Sequence, residues 1–283
     1  MSNSNQDLKT KKVWLVTGSS RGLGRALAEA VLAAGDLLIA TARKIEQLDA
    51  LRTQYGDQVL PIALDVTQPR DAAEVIKTGI AKFGHIDVLV NNAGFGNIGS
   101  IEETSLEEFH EQIETNLFGV INLTKAVLPY MREQRSGHII NLSSIGGRIG
   151  STGRAPYSAA KFGIEGFSEV LANEMRPLNV KVTIIEPGGF RTDFAGASTT
   201  IHEVRPEYDP TVGKAARFQK EYDGHQPGDP KKAAQAILAI AGMAEPPLRL
   251  LLGSDALRLV LAADERKTLS DKQWSELSES TDF

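Results

Sequence analysis

Seven short apolar runs, most of them far enough apart to leave room for a helix between, set the strongest limit on how this chain folds. They are VWLVT (13–17), LLIATA (37–42), VLPIAL (59–64), IDVLVN (86–91), HIINLS (138–143), VKVTIIE (180–186) and LRLLL (248–252). Within each run the apolar residues are mostly continuous, the pattern of parallel strands buried on both faces. The stretches 23–34, 69–83, 105–135 and 155–176 have the length of crossover helices. Repeated strand–helix–strand order predicts an α/β fold: a doubly wound, seven-stranded parallel sheet with helices on both faces. No repeat or low-complexity linker divides the 283 residues, so a single domain spanning 1–283 is expected.

Two regions break that rhythm. Residues 190–229 hold Gly, Pro, Thr and aromatics without a clean strand, and a long irregular segment in such a fold reads as an active-site lid. The polar tail, 267–283, is expected to fray.

Composition removes several function classes. A net charge of −5 argues against a nucleic-acid partner, which calls for a basic face. Five scattered histidines and no cysteine leave no pattern for a metal centre and exclude disulfides. The opening residues MSNSNQDLKTKK lack the apolar stretch of a secretion signal, and no run approaches the roughly 18 apolar residues of a membrane span. A cytoplasmic protein with no membrane partner is expected.

The first run passes at once into Gly18-Ser19-Ser20-Arg21-Gly22-Leu23-Gly24. A strand entering a glycine-rich turn and then a helix lets backbone approach a pyrophosphate, with the free N–H groups of the helix start facing it. Gly18, Ser20, Arg21, Gly22, Leu23 and Gly24 are therefore candidate cofactor contacts, although such a turn can also exist without a ligand. The second run ends Thr41-Ala42-Arg43, where an acidic residue would select NAD by binding its ribose 2′-OH. No carboxylate stands there. Arg21 and Arg43 together suit a 2′-phosphate, which points to NADP(H) over NAD(H), whereas Arg43 alone would pass for a surface residue. Asp65 and Val66, closing the third run, are placed to meet the adenine.

Reducing a carbonyl needs a proton at oxygen from a group that donates near neutral pH. Tyr157 and Lys161 sit one helical turn apart in YSAAKFGIEGF, so an ammonium can lower the phenol pKa. By itself Y-xxx-K carries little weight. Ser144, at the end of the fifth run, is placed to orient the substrate oxygen or simply to bond the backbone where the strand stops. Asn116 lies mid-helix, where asparagine is a mediocre helix former, and alone distinguishes no role.

Taken in order, TGSSRGLG (17–24), NNAG (91–94), Asn116, Ser144, Tyr157-xxx-Lys161 and Pro187-Gly188-Gly189-Phe190-Arg191-Thr192 resemble the short-chain dehydrogenase/reductase family from about Val13 to Thr192. The resemblance implies a Rossmann-like fold and a catalytic tetrad of Asn116, Ser144, Tyr157 and Lys161. Tyr157 would be the acid/base and Lys161 would bind the nicotinamide ribose while lowering the phenol pKa. Ser144 would hold the carbonyl oxygen, and Asn116 would position a relay water. It also places Asn92, with Ala93 and Gly94, near the adenosine ribose, and Pro187, Gly188, Phe190 and Thr192 at the nicotinamide. NNAGFGNIGSIEE and the long segment after Thr192 look most like the branch resembling 17β-hydroxysteroid dehydrogenases. A homodimer or homotetramer is implied by the resemblance only.

Phe95, Ser144, Ile145, Gly146, Gly147, Tyr157, Phe190 and Phe194 are expected to line a largely apolar substrate pocket. Phe194, Phe218 and Tyr222 read equally as pocket or as lid packing. Arg148, Arg154 and Arg191 fit surface arginines better than anion contacts. The reading these residues favour is an NADPH-dependent oxidoreductase acting on a ketone or aldehyde, or on the secondary alcohol in reverse. The alternatives are a nucleotide-sugar epimerase, disfavoured by the glycine spacing, and a cofactor-binding regulator without turnover, disfavoured by the complete tetrad.

Overall fold

The structure, a computed structural model, describes residues 11–283; the stretch read against a secretion signal lies outside these apart from Lys11 and Lys12. The strands are β1 (Val13–Val16), β2 (Leu37–Ala42), β3 (Val59–Ala63), β4 (Val88–Asn91) and β5 (Gly96–Ile98). After these come β6 (Gly137–Leu142), β7 (Val180–Pro187), β8 (Thr199–Ile201) and β9 (Arg249–Leu252). Seven of them form one parallel sheet in the order β3-β2-β1-β4-β6-β7-β9, with β5 and β8 paired apart from it. Each of the seven apolar runs is a strand of that sheet.

The helices are α1 (Gly22–Ala33), α2 (Asp49–Tyr55), α3 (Pro69–Phe83), α4 (Leu106–Ile113) and α5 (Gly119–Gln134). Beyond these lie α6 (Ala155–Met175), α7 (Lys214–Tyr222), α8 (Pro230–Ala241), α9 (Ser254–Gln273) and α10 (Ser275–Glu279). In β1 the alternate residues serve two cores. Trp14 and Val16 pack on Leu27 and Val31 of α1 and Ile237 of α8, while Val13 and Leu15 pack on Val75 and Ile76 of α3 and Leu123 and Val127 of α5. Both sheet faces are thus covered, so a polar residue has no face to occupy and the runs read as continuous. Burying each such side chain contributes roughly 1.5–3 kcal/mol.

Three expectations change. The stretch 105–135 is not one regular helix, because α4 and α5 join through a π turn at Glu114–Phe118 that contains Asn116. Residues 190–229 do contain a strand, β8, held beside β5 through Gly96↔Thr199 and Ile98↔Ile201, and a helix, α7. Three residues are too few to leave a periodic signal. Nor does the polar tail fray from Lys267: α9 runs on to Gln273 and α10 follows, built from residues of good helix propensity such as Leu, Arg, Lys and Glu.

From β1 the sheet grows outward in both directions, to β2 and β3 on one side and to β4 and β6 on the other. Such a switch point opens a crevice at the carboxyl ends of the strands, where ligands bind in open α/β sheets.

Candidate active site

A cleft of about 1140 Å³ lies at this crevice, walled by the segments that leave β1, β2, β3, β4, β6 and β7. Gly18 has φ +69° and turns the chain out of β1, a conformation in which a side chain is strained. At Gly24 a Cβ would collide with the Gly18 carbonyl oxygen and the Asn92 side-chain amide, so helix and turn can approach this closely only through glycine. The turn is pinned from β4: Asn92 Nδ2 donates to Thr17 O at 2.8 Å, and Thr17 Oγ1 accepts from the backbone N–H of Asn92 (2.9 Å) and Ala93 (3.0 Å). Asn92 therefore braces the turn with the side chain expected to meet the adenosine ribose. Thr17, which completes the brace, opens the TGSSRGLG motif, but its spacing to β4 in the fold, and so its bracing role, carries no sequence pattern.

Helix α1 begins without a side-chain cap and without an acidic residue in its first turn, leaving its N–H groups and positive dipole end to the cleft. Ser20, Arg21, Gly22 and Leu23 line this end, and Arg43 lines it from β2. Both guanidiniums are exposed and neither is paired with a carboxylate among the described residues. Asp65 and Val66 line the far end; Asp65 Oδ1 is engaged by Thr67, from the backbone N–H at 3.0 Å and the hydroxyl at 2.8 Å. Ala93, Gly94, Pro187, Gly188, Phe190 and Thr192 line the middle. Gly188 N–H donates to Leu252 O at 2.9 Å, tying the segment after β7 to β9.

Ser144, Tyr157 and Lys161 share one wall of the same cleft. Ser144 follows β6 in an extended conformation, and its Oγ accepts the Gly146 N–H at 3.1 Å. Tyr157 and Lys161 enter from the first turns of α6, and both are buried. Burial raises the phenol pKa above its ordinary value, opposed by the Ser144 hydroxyl and by the charge of Arg154. The expected lowering of that pKa by Lys161 is not among these influences. Lys161 Nζ instead donates to Leu142 O at 2.6 Å, 5.6 Å from the Tyr157 ring centre. Its own pKa is held down to about 8 by burial, against the pull of Glu165.

Asn116 is placed differently from the other three. It is fully buried and does not line the cleft. Its Oδ1 accepts Phe95 N–H at 3.1 Å, and its Nδ2 donates to Phe95 O at 2.9 Å and to Gln112 Oε1 at 2.8 Å. Both amide hydrogens and one lone pair of Oδ1 are engaged, so the side chain positions the backbone beneath Phe95. A π turn supplies this placement, a device found often at functional sites.

Phe95, Ile145, Gly146 and Phe194 reach the cleft as expected. Gly147 does not: it is turned under the wall, where a Cβ would lie 2.5 Å from Ser143 Oγ. Phe194 leans on Tyr157 with ring centres 5.6 Å apart, and Phe218 and Tyr222 also line the cleft. Of the three arginines read as surface groups, Arg191 is exposed, while Arg148 and Arg154 are half-buried. Arg148 binds the fully buried Glu186 at 3.1 Å and Asp264 at 2.5 Å, and Arg191 Nε donates to Gln226 O at 2.6 Å. Arg154 is half-buried in the cleft wall, beside Tyr157. Asp255 and Arg258 of α9 also line the cleft. They follow the last strand, where carboxyl-end geometry would have pointed to them.

Residues 12–202 match the family model described as short chain dehydrogenase. The chain is similar to "Oxidoreductase BOA17" of Botryotinia fuckeliana, 47% identical over 94% of this chain and 98% of that protein. Among solved structures, a short-chain dehydrogenase from Streptomyces avermitilis is 42% identical with a TM-score of 0.91, covering 97% of this chain and 100% of that one. An alcohol dehydrogenase from Thermococcus sibiricus, described in complex with 5-hydroxy-NADP, is 28% identical with a TM-score of 0.71, covering 86% of this chain and 96% of that one. Solved relatives include complexes with NAD as well as with NADP. On sequence, on fold and on the family match together, the chain belongs to the short-chain dehydrogenase/reductase family of oxidoreductases.

Proposed function

We propose that this protein reduces a ketone or aldehyde with NADPH, and oxidises the secondary alcohol in reverse. The observation that carries the reading is the convergence of Ser144, Tyr157 and Lys161 on the cleft that the glycine turn opens. The cradle fits the cofactor: glycine stands where a Cβ would block backbone approach, and the start of α1 has unused N–H groups. Arg21 and Arg43, without carboxylate partners among the described residues, line the cleft near the start of α1 and suit a 2′-phosphate, which supports NADPH over NADH. The NADP-type ligand of the Thermococcus sibiricus relative is in line with this.

NADPH, when bound, supplies a hydride to the carbonyl carbon. Tyr157 gives its phenolic proton to the carbonyl oxygen. Ser144 Oγ accepts from Gly146, so its one hydrogen remains to be given, to that oxygen or to the Tyr157 phenolate beside it. Lys161 spends one of its three N–H donors on Leu142 O and keeps two for the ribose hydroxyls. The charge of Arg154 and the Ser144 bond favour the phenolate left behind, offsetting part of the burial penalty. Asn116 fixes Phe95 at the pocket rim through both of its backbone groups.

NADPH consumption over aldehydes, cyclic ketones, β-keto esters and steroids tests the reading. Turnover of at least one class, faster with NADPH than with NADH, is expected; tight NADPH binding without turnover of any would overturn it. The steroid arm tests the narrower likeness to 17β-hydroxysteroid dehydrogenases.

A further inference from the structure

The charge of Arg154 assists the phenolate, but the proposed chemistry leaves the unused N–H donors of its guanidinium unexplained. Its Nη2 donates to Gln219 Oε1 at 2.6 Å, and its charge is acted on by burial and by the Tyr157 phenol, with no carboxylate partner among the described residues. Other partly buried arginines are paired: Arg148 with Glu186 and Asp264, and Arg249 with Glu165 and Glu169. A guanidinium carries five N–H donors, and a half-buried one lacking a counter-ion is costly.

Its position is nevertheless fixed. Gln219, itself 7% exposed, donates through Nε2 to Ala195 O at 2.8 Å, which turns its Oε1 toward Arg154. Nη1 lies against Gly96, where an added Cβ would sit 3.4 Å away. The guanidinium carbon is 6.0 Å from the Tyr157 ring centre. Asp193 and Asp255 line the same cleft, but neither pairs with Arg154, and Asp255 is engaged by Gly189 N–H at 2.8 Å.

We infer that Arg154 receives an anionic oxygen group of the substrate, carboxylate or phosphate, so that the protein prefers small carbonyl compounds carrying their charge a few bonds from the carbonyl. The inference rests on Tyr157 marking where the carbonyl sits. From there the short span to the guanidinium fits a compact keto acid or keto phosphate, and the planar fork of arginine matches either oxyanion.

Calorimetry and turnover on the NADP(H)-loaded protein test this with acetoacetate and levulinate, their methyl esters, and dihydroxyacetone phosphate beside dihydroxyacetone. The anionic member of at least one pair is expected to bind, and to be turned over, roughly ten- to a hundredfold better than its neutral twin, as one charge-assisted contact allows. The carboxylate and phosphate arms tell which anion is taken. Arg154→Met should bring the anion-to-neutral ratio near one, and Arg154→Lys should keep part of it; Arg154→Gln serves if the methionine variant does not fold. Equal handling of every pair by the wild type, or an unchanged ratio in Arg154→Met, overturns the anion site while leaving the reductase intact. Selective anion binding with no turnover of any carbonyl supports the anion site and defeats the reductase.

Discussion

The ammonium of Lys161 donates to the carbonyl oxygen of Leu142 at 2.6 Å, fastening the helix that carries Tyr157 to the end of β6, which leads into Ser144. One buried amine thus joins the proposed proton donor to the strand that leads into the proposed carbonyl-binding hydroxyl. Burial sets this ammonium to release its proton at about 8, well below an ordinary lysine.

If the charged ammonium holds the ribose hydroxyls, NADPH affinity is expected to weaken as pH rises through about 8. Lys161→Met should bind NADPH more weakly, with a pH profile that is flat in this region. Fluorescence titration across pH checks both, and an identical profile in wild type and variant would contradict the role.

The same group affects stability with a defined sign. Its folded pKa of about 8 lies below the unfolded 10.5, so between these values the unfolded chain binds more protons. Stability of the ligand-free wild type relative to Lys161→Met should therefore rise with pH across that window. The full difference is on the order of 3 kcal/mol. Urea denaturation on either side of the window measures it; a fall with pH would mean that the ammonium is stabilised where it lies.

The proposed preference for NADPH rests on the end of β2. Ala42→Asp combined with Arg43→Ser should place a carboxylate against the 2′-phosphate and remove one guanidinium. The NADPH-to-NADH ratio of kcat/KM is expected to fall roughly tenfold or more, the value of a charge-assisted contact. Unchanged selectivity would show that the 2′-phosphate lies elsewhere.

Asn116→Ala should leave the N–H and C=O of Phe95 without partners. A loss of about 1–3 kcal/mol per abandoned group is expected in chemical denaturation. Activity should fall mainly through the rise in KM that comes from a displaced rim. A variant as stable as the wild type would show that water or another group can replace the amide.

The sheet was legible because its signal is local and repeated: each strand buries both faces, so each announces itself as an apolar run. The glycine turn, Ser144 and the Tyr157–Lys161 pair were legible for a similar reason, since each owes its place to a strand end or to one helical turn. What escaped depends on distant contacts. The β8 strand exists through its pairing with Gly96–Ile98, about a hundred residues earlier. Arg154 looked like a surface arginine because its burial comes from Gln219 of α7 and from Tyr157 in the first turn of α6. Asn116 could be marked as unusual, but its double grip on Phe95 needs the π turn, which no residue pattern reveals.

The most direct measurement is the activity of Tyr157→Phe beside its affinity for NADPH. The phenol's ring packs at 5.6 Å from that of Phe194, and phenylalanine preserves this contact while deleting the proton. A loss of roughly 10²–10⁴-fold or more in turnover, with NADPH binding unchanged, is the expected result. Near-normal turnover in that variant would show that the proton comes from another group and that Tyr157 is not the acid.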